Sequence, residues 1–328
     1  MATATQIKEL LKTHGEGDDE RFYAIAMQVA AAEARKGHEL LAKDLRRLVE
    51  KARMRKNEGG MDARIVHLAR PTGEAAELLE EVEDPRRLKD VVMDGALAER
   101  MQRILSEQKH MDRIRAAGLT PRNRLLFTGP PGCGKTLTAS ALANEIGVPL
   151  LVVRLDSLIT RYLGESLSKL RLIFDTINRT RAVYLFDEFD SIGYMREATN
   201  DVGEMRRVLN GFLMNIEKLR SESLIIAATN FAGKLDRALF RRFDDVVEFG
   251  LPGEEEAWAT IRQLLSGVKT GKLSKGELCE AAKGLSYGEI TRACEETIKE
   301  MIITHTDKIT NGMLLNALTE RRLFTRHS

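Results

Sequence analysis

The chain has 328 residues, a length typical of two or three domains, and 43% of them are hydrophobic, which is enough for an ordinary core. Its 51 basic and 49 acidic residues nearly cancel to a formal charge of +2, which disfavours nucleic acid and singles out no membrane surface as a partner. The 3 cysteines lack metal-binding spacing, no apolar run is long enough to cross a bilayer, and the first residues do not resemble a signal peptide. We therefore expect a protein of the reducing cytoplasm.

The first part of the chain has a helical pattern. Residues 1–56 are rich in alanine and charge, contain no proline, and repeat their apolar residues at helical spacing. We predict a small helical domain that docks a substrate or partner, or that serves only as a scaffold or oligomer contact; the sequence does not choose between these. Residues 57–86 open with Asn57-Glu58-Gly59-Gly60 and are predicted to be a linker that contains a short strand and a short helix.

Strand and helix patterns alternate between residues 87 and 250. A helix is predicted over 97–114, with further helices over 166–177 and 204–219. Apolar runs typical of buried parallel strands lie at 125–127, 149–153, 182–186, 223–228 and 246–249. This alternation predicts an α/β domain with an open parallel sheet covered on both faces, whose ligands bind at the carboxyl ends of the strands. Residues 251–328 show only helical patterns, over 254–265, 274–283, 287–304 and 310–323, and predict a C-terminal helical subdomain.

The most specific motif lies between a predicted strand and a predicted helix. It reads Gly129-Pro130-Pro131-Gly132-Cys133-Gly134-Lys135-Thr136, is followed by Leu137, and matches the phosphate-binding P-loop spacing G-x-x-x-x-G-K-[ST]. Glycines let the backbone turn its N–H groups toward phosphate oxygens, and the helix start adds its own free N–H groups and positive dipole end. We expect Lys135 to reach the β- and γ-phosphates of a nucleotide and the Thr136 hydroxyl to bind Mg²⁺. The alternative is a glycine-rich turn that binds nothing. The Cys133 side chain is not expected to take part in the chemistry of the P-loop, and the alternative is an oxidation-sensitive thiol.

Two later strands end in polar residues that suit nucleotide hydrolysis. Asp187-Glu188 follows the strand at 182–186, where the first carboxylate is expected to hold Mg²⁺ and the second to orient and polarise the attacking water. Asn230 ends the next strand, and its amide is expected to reach the γ-phosphate or that water. The alternatives are a charged pair that merely ends a strand and an asparagine that merely starts a turn. Asp190 is predicted to be structural.

Two further groups point to contacts between chains. Arg241-Arg242 follows a short predicted helix, and an arginine supplied by another subunit can stabilise charge on a transferring phosphate. Tyr162-Leu163 lies in a polar loop beside a glycine, where an exposed aromatic side chain can grip another polypeptide. The alternatives are a solvated arginine pair and an aromatic ring that packs under its own loop.

Together these residues resemble the AAA+ ATPases, specifically the classical AAA clade that includes spastin, katanin and the FtsH-type proteases. The resemblance covers residues 87–325 and implies a Walker A motif at Gly129–Thr136 and a Walker B motif at Tyr184–Glu188. It further implies that Asn230 is sensor 1 and that Arg241 and Arg242 are arginine fingers. The domain order is then an N-terminal domain (1–56), a linker (57–86), a large ATPase subdomain (87–250) and a helical lid (251–328).

The same resemblance assigns three shorter segments. Tyr162-Leu163-Gly164 is similar to the pore loop of that clade, and Lys89–Val92 is similar to the segment whose backbone contacts adenine, which implicates Val91. Ser286–Ile290 is similar to the lid motif S-G-A-D-L and brings Gly288 to the nucleotide. Arg292, one turn later, is a candidate substitute for the sensor 2 arginine.

The resemblance implies a Mg²⁺-dependent ATPase that forms a ring or spiral homo-oligomer, with a hexamer expected, and threads a protein client through a central pore. The alternative is a nucleotide-gated switch or adaptor that controls a partner, such as a separately encoded subtilisin-like protease. A third interpretation, a clamp-loader-like protein acting on DNA, is disfavoured because the balanced charge offers no basic stripe.

Overall fold

A computed structural model gives the fold of the chain, which divides into two units, Met1–His67 and Leu68–Ser328. The structure describes residues 25–27, 29, 73–158, 165–190, 202–219, 221–231, 233 and 237–327. In the first unit the described residues, 25–27 and 29, are helical. The rest of the predicted N-terminal helical domain and the strand predicted near residue 65 lie outside the described residues.

The second unit is built on a six-stranded sheet with the spatial order β1-β3-β4-β5-β2-β6. The strands are β1 (Leu79–Val82), β2 (Arg124–Thr128), β3 (Leu150–Val153), β4 (Val183–Phe186), β5 (Leu224–Thr229) and β6 (Asp245–Glu248). All neighbouring strands run parallel except β1, which pairs antiparallel with β3. The α/β class and the mostly parallel sheet predicted from the sequence are thus confirmed.

The structure differs from the sequence expectation at β1. Residues 79–82 fall inside the segment predicted to be a linker, yet they form an edge strand in register from Leu79 opposite Val153 to Val82 opposite Leu150. Leu79 is buried, and a short helix, α1 (Glu74–Leu78), leads into the strand. The strand is only 4 residues long and has two glutamates at its centre. Glutamate is disfavoured in strands, so local propensity predicts that the helix continues, and the pairing with β3 overrides that propensity.

Helices cover both faces of the sheet because successive strand residues point to opposite sides. Tyr184 and Phe186 of β4 belong to one buried cluster, whereas Val183 and Leu185 belong to the other. The helices around the sheet are α2 (Gly95–Lys109), α3 (Met111–Ala116), α4 (Lys135–Ile146), α5 (Leu155–Leu158), α6 (Glu165–Arg179), α7 (Val202–Lys218) and α8 (Arg237–Phe240). A 3₁₀ helix, Leu88–Asp90, precedes α2. The single helix predicted over 97–114 is wrong in one respect, because the chain breaks at His110 into α2 and α3.

The C-terminal part is a separate helical cluster with its own apolar core, as predicted. It contains α9 (Glu254–Leu264), α10 (Lys275–Ala282), α11 (Tyr287–Ile303) and α12 (Asn311–His327). We call these four helices the lid. Among the described residues, no helix is both long and apolar enough to span a membrane.

Candidate nucleotide-binding site

The glycine-rich turn lies at the carboxyl end of β2 and leads directly into α4. Gly134, the residue before the helix, has a left-handed backbone with φ 89° and ψ 14°. Gly129 has φ 142°, and a Cβ atom there would lie 2.1 Å from the carbonyl oxygen of Phe249. Glycine is therefore required at Gly129 by a close approach of backbone as well as by conformation. Pro130, Pro131 and Gly132 form the exposed crest of the turn.

Lys135, the first residue of α4, is 7% exposed and points back into the turn. Its Nζ donates hydrogen bonds to the carbonyl oxygens of Gly129 at 2.7 Å and Pro130 at 2.9 Å, and to Oδ1 of Asn230 at 2.8 Å. Burial lowers the pKa of Lys135, and the negative charges of Asp187 and Asp190 oppose that shift. Lys135 at the start of α4 and Asn230 at the end of β5, which are 95 positions apart in the sequence, are thus in direct contact.

Thr136 and Asp187 form a second contact across the same strand ends. The Thr136 Oγ1 hydroxyl donates to Oδ2 of Asp187 at 2.7 Å. Hydroxyl and carboxylate oxygens are the hard donors that Mg²⁺ prefers, and Mg²⁺ usually keeps several waters beside one or two protein ligands. The donor set present therefore fits a magnesium ion.

Glu188 has an unusual backbone that presents its side chain to solvent. Its φ is 49°, a left-handed conformation that costs a non-glycine residue about 1–2 kcal/mol. Its N–H donates to Oδ1 of Asp187 at 2.9 Å, and the next residue, Phe189, is fully buried and donates its N–H to the Ala228 carbonyl at 2.8 Å. These two anchors on either side hold the exposed Glu188 side chain beside the Thr136–Asp187 pair.

The turn after β5 is supported by the residue that we predicted to be structural. Asp190 Oδ1 accepts a hydrogen bond from the Asn230 N–H at 3.4 Å. The Thr229 Oγ1 hydroxyl accepts from the Phe231 N–H at 3.1 Å. Both contacts hold the backbone around Asn230, whose side-chain oxygen faces Lys135.

The lid contacts the glycine-rich turn through its backbone. The N–H of Gly288, in the first turn of α11, donates to the Gly132 carbonyl at 2.9 Å. A Cβ atom on Gly132, where φ is 75°, would lie 2.5 Å from Ser286 Oγ, so the close approach requires glycine. Ser286 caps α11 by accepting from the Glu289 N–H at 3.3 Å. The start of α11 and the turn after β2 therefore form one surface.

The adenine-contacting segment inferred from the resemblance lies against the lid as well. Gln263 of α9 donates through Nε2 to the Asp90 carbonyl at 2.7 Å, and Val91, the residue after Asp90, is half-buried.

Two side chains near the glycine-rich turn are kept neutral by burial. Burial raises the pKa of the Cys133 thiol, and burial also raises the pKa of the Tyr287 hydroxyl to about 12. Leu137 is half-buried one residue after Thr136.

The structure does not bring Arg241 and Arg242 to this pocket. They follow α8 and precede β6, and the first residue of β6 is in register with Leu125 at the start of β2. The turn after β2 is at the opposite end of that strand, about 13 Å away at ~3.3 Å per residue. Arg241 is exposed, and Arg242 forms an ion pair with Glu217 of α7.

Three more predicted residues remain, the two pore-loop residues and the candidate for sensor 2. Tyr162 and Leu163 lie outside the described residues. Arg292 is on the lid, where its side chain is 63% exposed and its Nη1 lies 3.0 Å from Oε1 of Glu289. Glu289 also lies 3.7 Å from Arg321 of α12, so Arg292 belongs to a group of charges within the lid.

Comparison with known proteins places the chain in a family. Residues 125–251 match the model of the ATPase family associated with various cellular activities (AAA). An uncharacterized AAA family ATPase of Sinorhizobium fredii (strain NBRC 101917 / NGR234), y4kL, is 35% identical over 303 residues, which span 92% of this chain and 90% of that protein. The chain belongs to the AAA family of ATPases. The crystal structure of the FIGL-1 AAA domain has the same fold, with a TM-score of 0.61 at 21% identity over 79% of this chain and 89% of that domain.

Membership in the AAA family agrees with the geometry of the pocket. AAA ATPases bind nucleotide, and members of the family typically oligomerise. The family match begins at Leu125 and ends at Leu251, so it includes all of β2 except Arg124, the turn after β2, the ends of β4 and β5, and the arginine pair.

We expect Gly132→Ala to weaken nucleotide binding by about tenfold, equivalent to about 1.4 kcal/mol, because its Cβ would push Ser286 and the start of α11 off the turn. Titration with a fluorescent ADP analogue measures this. Gly118→Ala is a matched control, since Gly118 has nearly the same φ, 76°, but has nothing within 4 Å of an added Cβ. Equal affinities for the two variants would show that the lid contact does not matter for binding.

Proposed function

We propose that this AAA protein is a Mg²⁺-dependent ATPase that converts ATP to ADP and phosphate. One observation supports this most directly: the Lys135–Asn230 and Thr136–Asp187 contacts join the ends of β2, β4 and β5 into one pocket. Ligands of open parallel sheets bind at such an edge. Backbone N–H groups of the glycine-rich turn and the ammonium of Lys135 would hold the triphosphate.

Thr136 and Asp187 would hold the magnesium ion, which neutralises phosphate charge when it is bound. Glu188 would orient the attacking water and accept its proton, because its carboxylate is exposed at the same strand end. Asn230 would orient the γ-phosphate or that water through its side-chain amide. Val91 would contact the adenine base from the segment before α2, and Gly288 would contact the nucleotide from the lid.

We place Arg241 and Arg242 in the pocket of a neighbouring subunit rather than in their own. Two observations support this: the turn that carries them lies at the opposite end of β2 from the glycine-rich turn, and Arg241 is exposed there. Guanidinium groups from a neighbour would stabilise charge on the transferring phosphate. The proposed assembly is a closed ring or spiral of identical chains, with six subunits by resemblance to the classical clade.

The work that hydrolysis performs is proposed to be the remodelling or unfolding of a protein client. The support is the resemblance of Tyr162-Leu163-Gly164 to pore loops. We propose that residues 1–56 select the client. A separate protease partner and a cytoplasmic location stay predictions from the sequence. The chain offers no reason to expect nucleic acid as the client.

Tyr162→Ala tests the threading proposal. Proteins that copurify with the Glu188→Gln variant in ATP identify the client, and remodelling of that client is then measured with the Tyr162→Ala variant. We expect the Tyr162→Ala variant to lose much more of its remodelling activity than of its ATP hydrolysis, since the aromatic side chain of Tyr162 is the group proposed to grip the client. Unchanged remodelling, or ATP-dependent complex formation without any remodelling, would instead favour a nucleotide-gated switch.

A further inference from the structure

The two acidic residues after the arginine pair are held by groups far away in the sequence. Asp244 accepts hydrogen bonds from the backbone N–H groups of Asn123 and Arg124, each at 3.0 Å, and from Arg124 Nη2 at 2.6 Å. The N–H of Asp244 also donates to the Arg124 carbonyl at 2.8 Å. Asp244 therefore both accepts hydrogen bonds from, and donates one to, the residues at the start of β2.

Asp245, the first residue of β6, is held by a different element. Its Oδ2 accepts from Arg122 Nη1 at 3.0 Å and from Nε of Arg100, on α2, at 3.1 Å. Burial acts to raise the pKa of Asp245, but the two guanidinium groups outweigh that effect and hold it below its usual range. Arg122 is itself paired with Glu107 of α2.

The turn before these residues is anchored from inside. Leu239 and Phe243, on either side of the arginine pair, are buried, with 1% and 7% of their surfaces exposed. The Arg242 N–H donates to the Leu239 carbonyl at 2.9 Å. The arginine pair thus sits in a short turn fixed by two buried side chains and followed by two bound carboxylates.

We propose that Asp244 and Asp245 are positioning residues, which together fix the turn carrying Arg241 and Arg242 against β2 and α2. This rests on the proposed role of the arginine pair in a neighbouring pocket. Asp244 binds the start of β2 and Asp245 binds Arg100 of α2. With contacts to two different elements, the turn can neither shift nor rotate freely. The glycine-rich turn follows the carboxyl end of β2, and the arginine turn is held at the start of the same strand. The position of Arg241 and Arg242 is therefore fixed by the strand that leads into the nucleotide pocket of the same subunit.

The effect on rate is expected to exceed the effect on folding. Ion pairs that are partly exposed to solvent contribute little to stability, whereas a displacement of about 1 Å in a reacting group costs about 10²-fold in rate. Asp244→Asn and Asp245→Asn keep the size of the side chain and an acceptor oxygen. We expect each to lower kcat by about 10–100-fold at saturating ATP and to leave the affinity for a fluorescent ADP analogue within about twofold. Asp112→Asn, at an exposed position of α3, is the control with the wild-type kcat.

Subunit mixing separates positioning from a general structural defect. A Glu188→Gln subunit has a slow pocket but intact arginines, and an Asp244→Asn subunit has an intact pocket but displaced arginines. We expect the ATPase activity of the mixed protein to exceed that of either variant alone, and we expect the same result when Asp245→Asn replaces Asp244→Asn. A wild-type kcat for both aspartate variants, or no recovery on mixing, would overturn the proposal.

A parallel mixture of Glu188→Gln with Arg241→Ala/Arg242→Ala separates the two proposals. Recovery with the arginine variant but not with the aspartate variants would reject the positioning role alone. No recovery in either mixture would reject the shared pocket, and the positioning role with it.

Discussion

Glu188→Gln is expected to bind ATP with nearly normal affinity and to hydrolyse it about 10²–10⁴-fold more slowly, because an amide cannot accept the proton of the attacking water. The substitution keeps the shape of the side chain, so the left-handed backbone between Asp187 and the buried Phe189 is preserved. Phosphate release at saturating ATP, measured with Mg²⁺ and again with excess EDTA, gives the rate. EDTA is expected to abolish hydrolysis by the wild-type protein.

Asp190→Asn is the matched control for this prediction. Asp190 lies two residues away, and its observed contact is the hydrogen bond from the Asn230 N–H, which an asparagine oxygen can still accept. Its loss in kcat should be much smaller. Near-normal turnover by Glu188→Gln, or an equal loss in both variants, would contradict the assignment of the base to Glu188.

Arg241→Ala combined with Arg242→Ala is expected to lower kcat by about 10³–10⁵-fold, the range that arginines supplied from a neighbour contribute in other phosphoryl-transfer enzymes. ATP binding should change little, since neither side chain lies at the pocket of its own chain. The ATPase activity of the wild-type protein per chain should fall on dilution, because a solitary protomer lacks its neighbour's guanidinium groups.

Measuring ATPase rate against protein concentration tests both parts of that prediction. Arg103→Ala, which removes an exposed arginine of α2, is the control and should follow the wild-type curve. Full activity of a dilute monomer in which positions 241 and 242 are both alanine would eliminate the shared pocket.

The pocket residues could be predicted from the sequence because each lies in a local pattern of known structure. The glycine spacing before Lys135 defines the turn, and apolar runs that end in Asp187 and Asn230 mark strand ends. In a parallel sheet neighbouring strand ends meet, and the 2.8 Å contact between Lys135 Nζ and Asn230 Oδ1 is the contact that this rule predicts.

Other features leave no local trace in the sequence. Asp244 and Asp245 find their partners more than 100 positions away, so their spacing alone cannot show which arginines they bind. The break between α2 and α3 at His110 has no glycine or proline to announce it. The left-handed backbone of Glu188 is imposed by the burial of Phe189 and by the Asp187 side chain, both of which depend on the completed sheet.

The antiparallel edge strand has a practical consequence for any shortened form of the protein. A chain cut to begin at residue 87, where the sequence alone puts the start of the ATPase subdomain, would lack all of β1 and leave β3 paired on one side only, with β4. An unpaired edge beside apolar residues such as Leu151 invites pairing between molecules and aggregation. A version that begins before Glu74 retains α1 and β1, and its edge strand is then the short β1 with two central glutamates, which is a poor template for pairing.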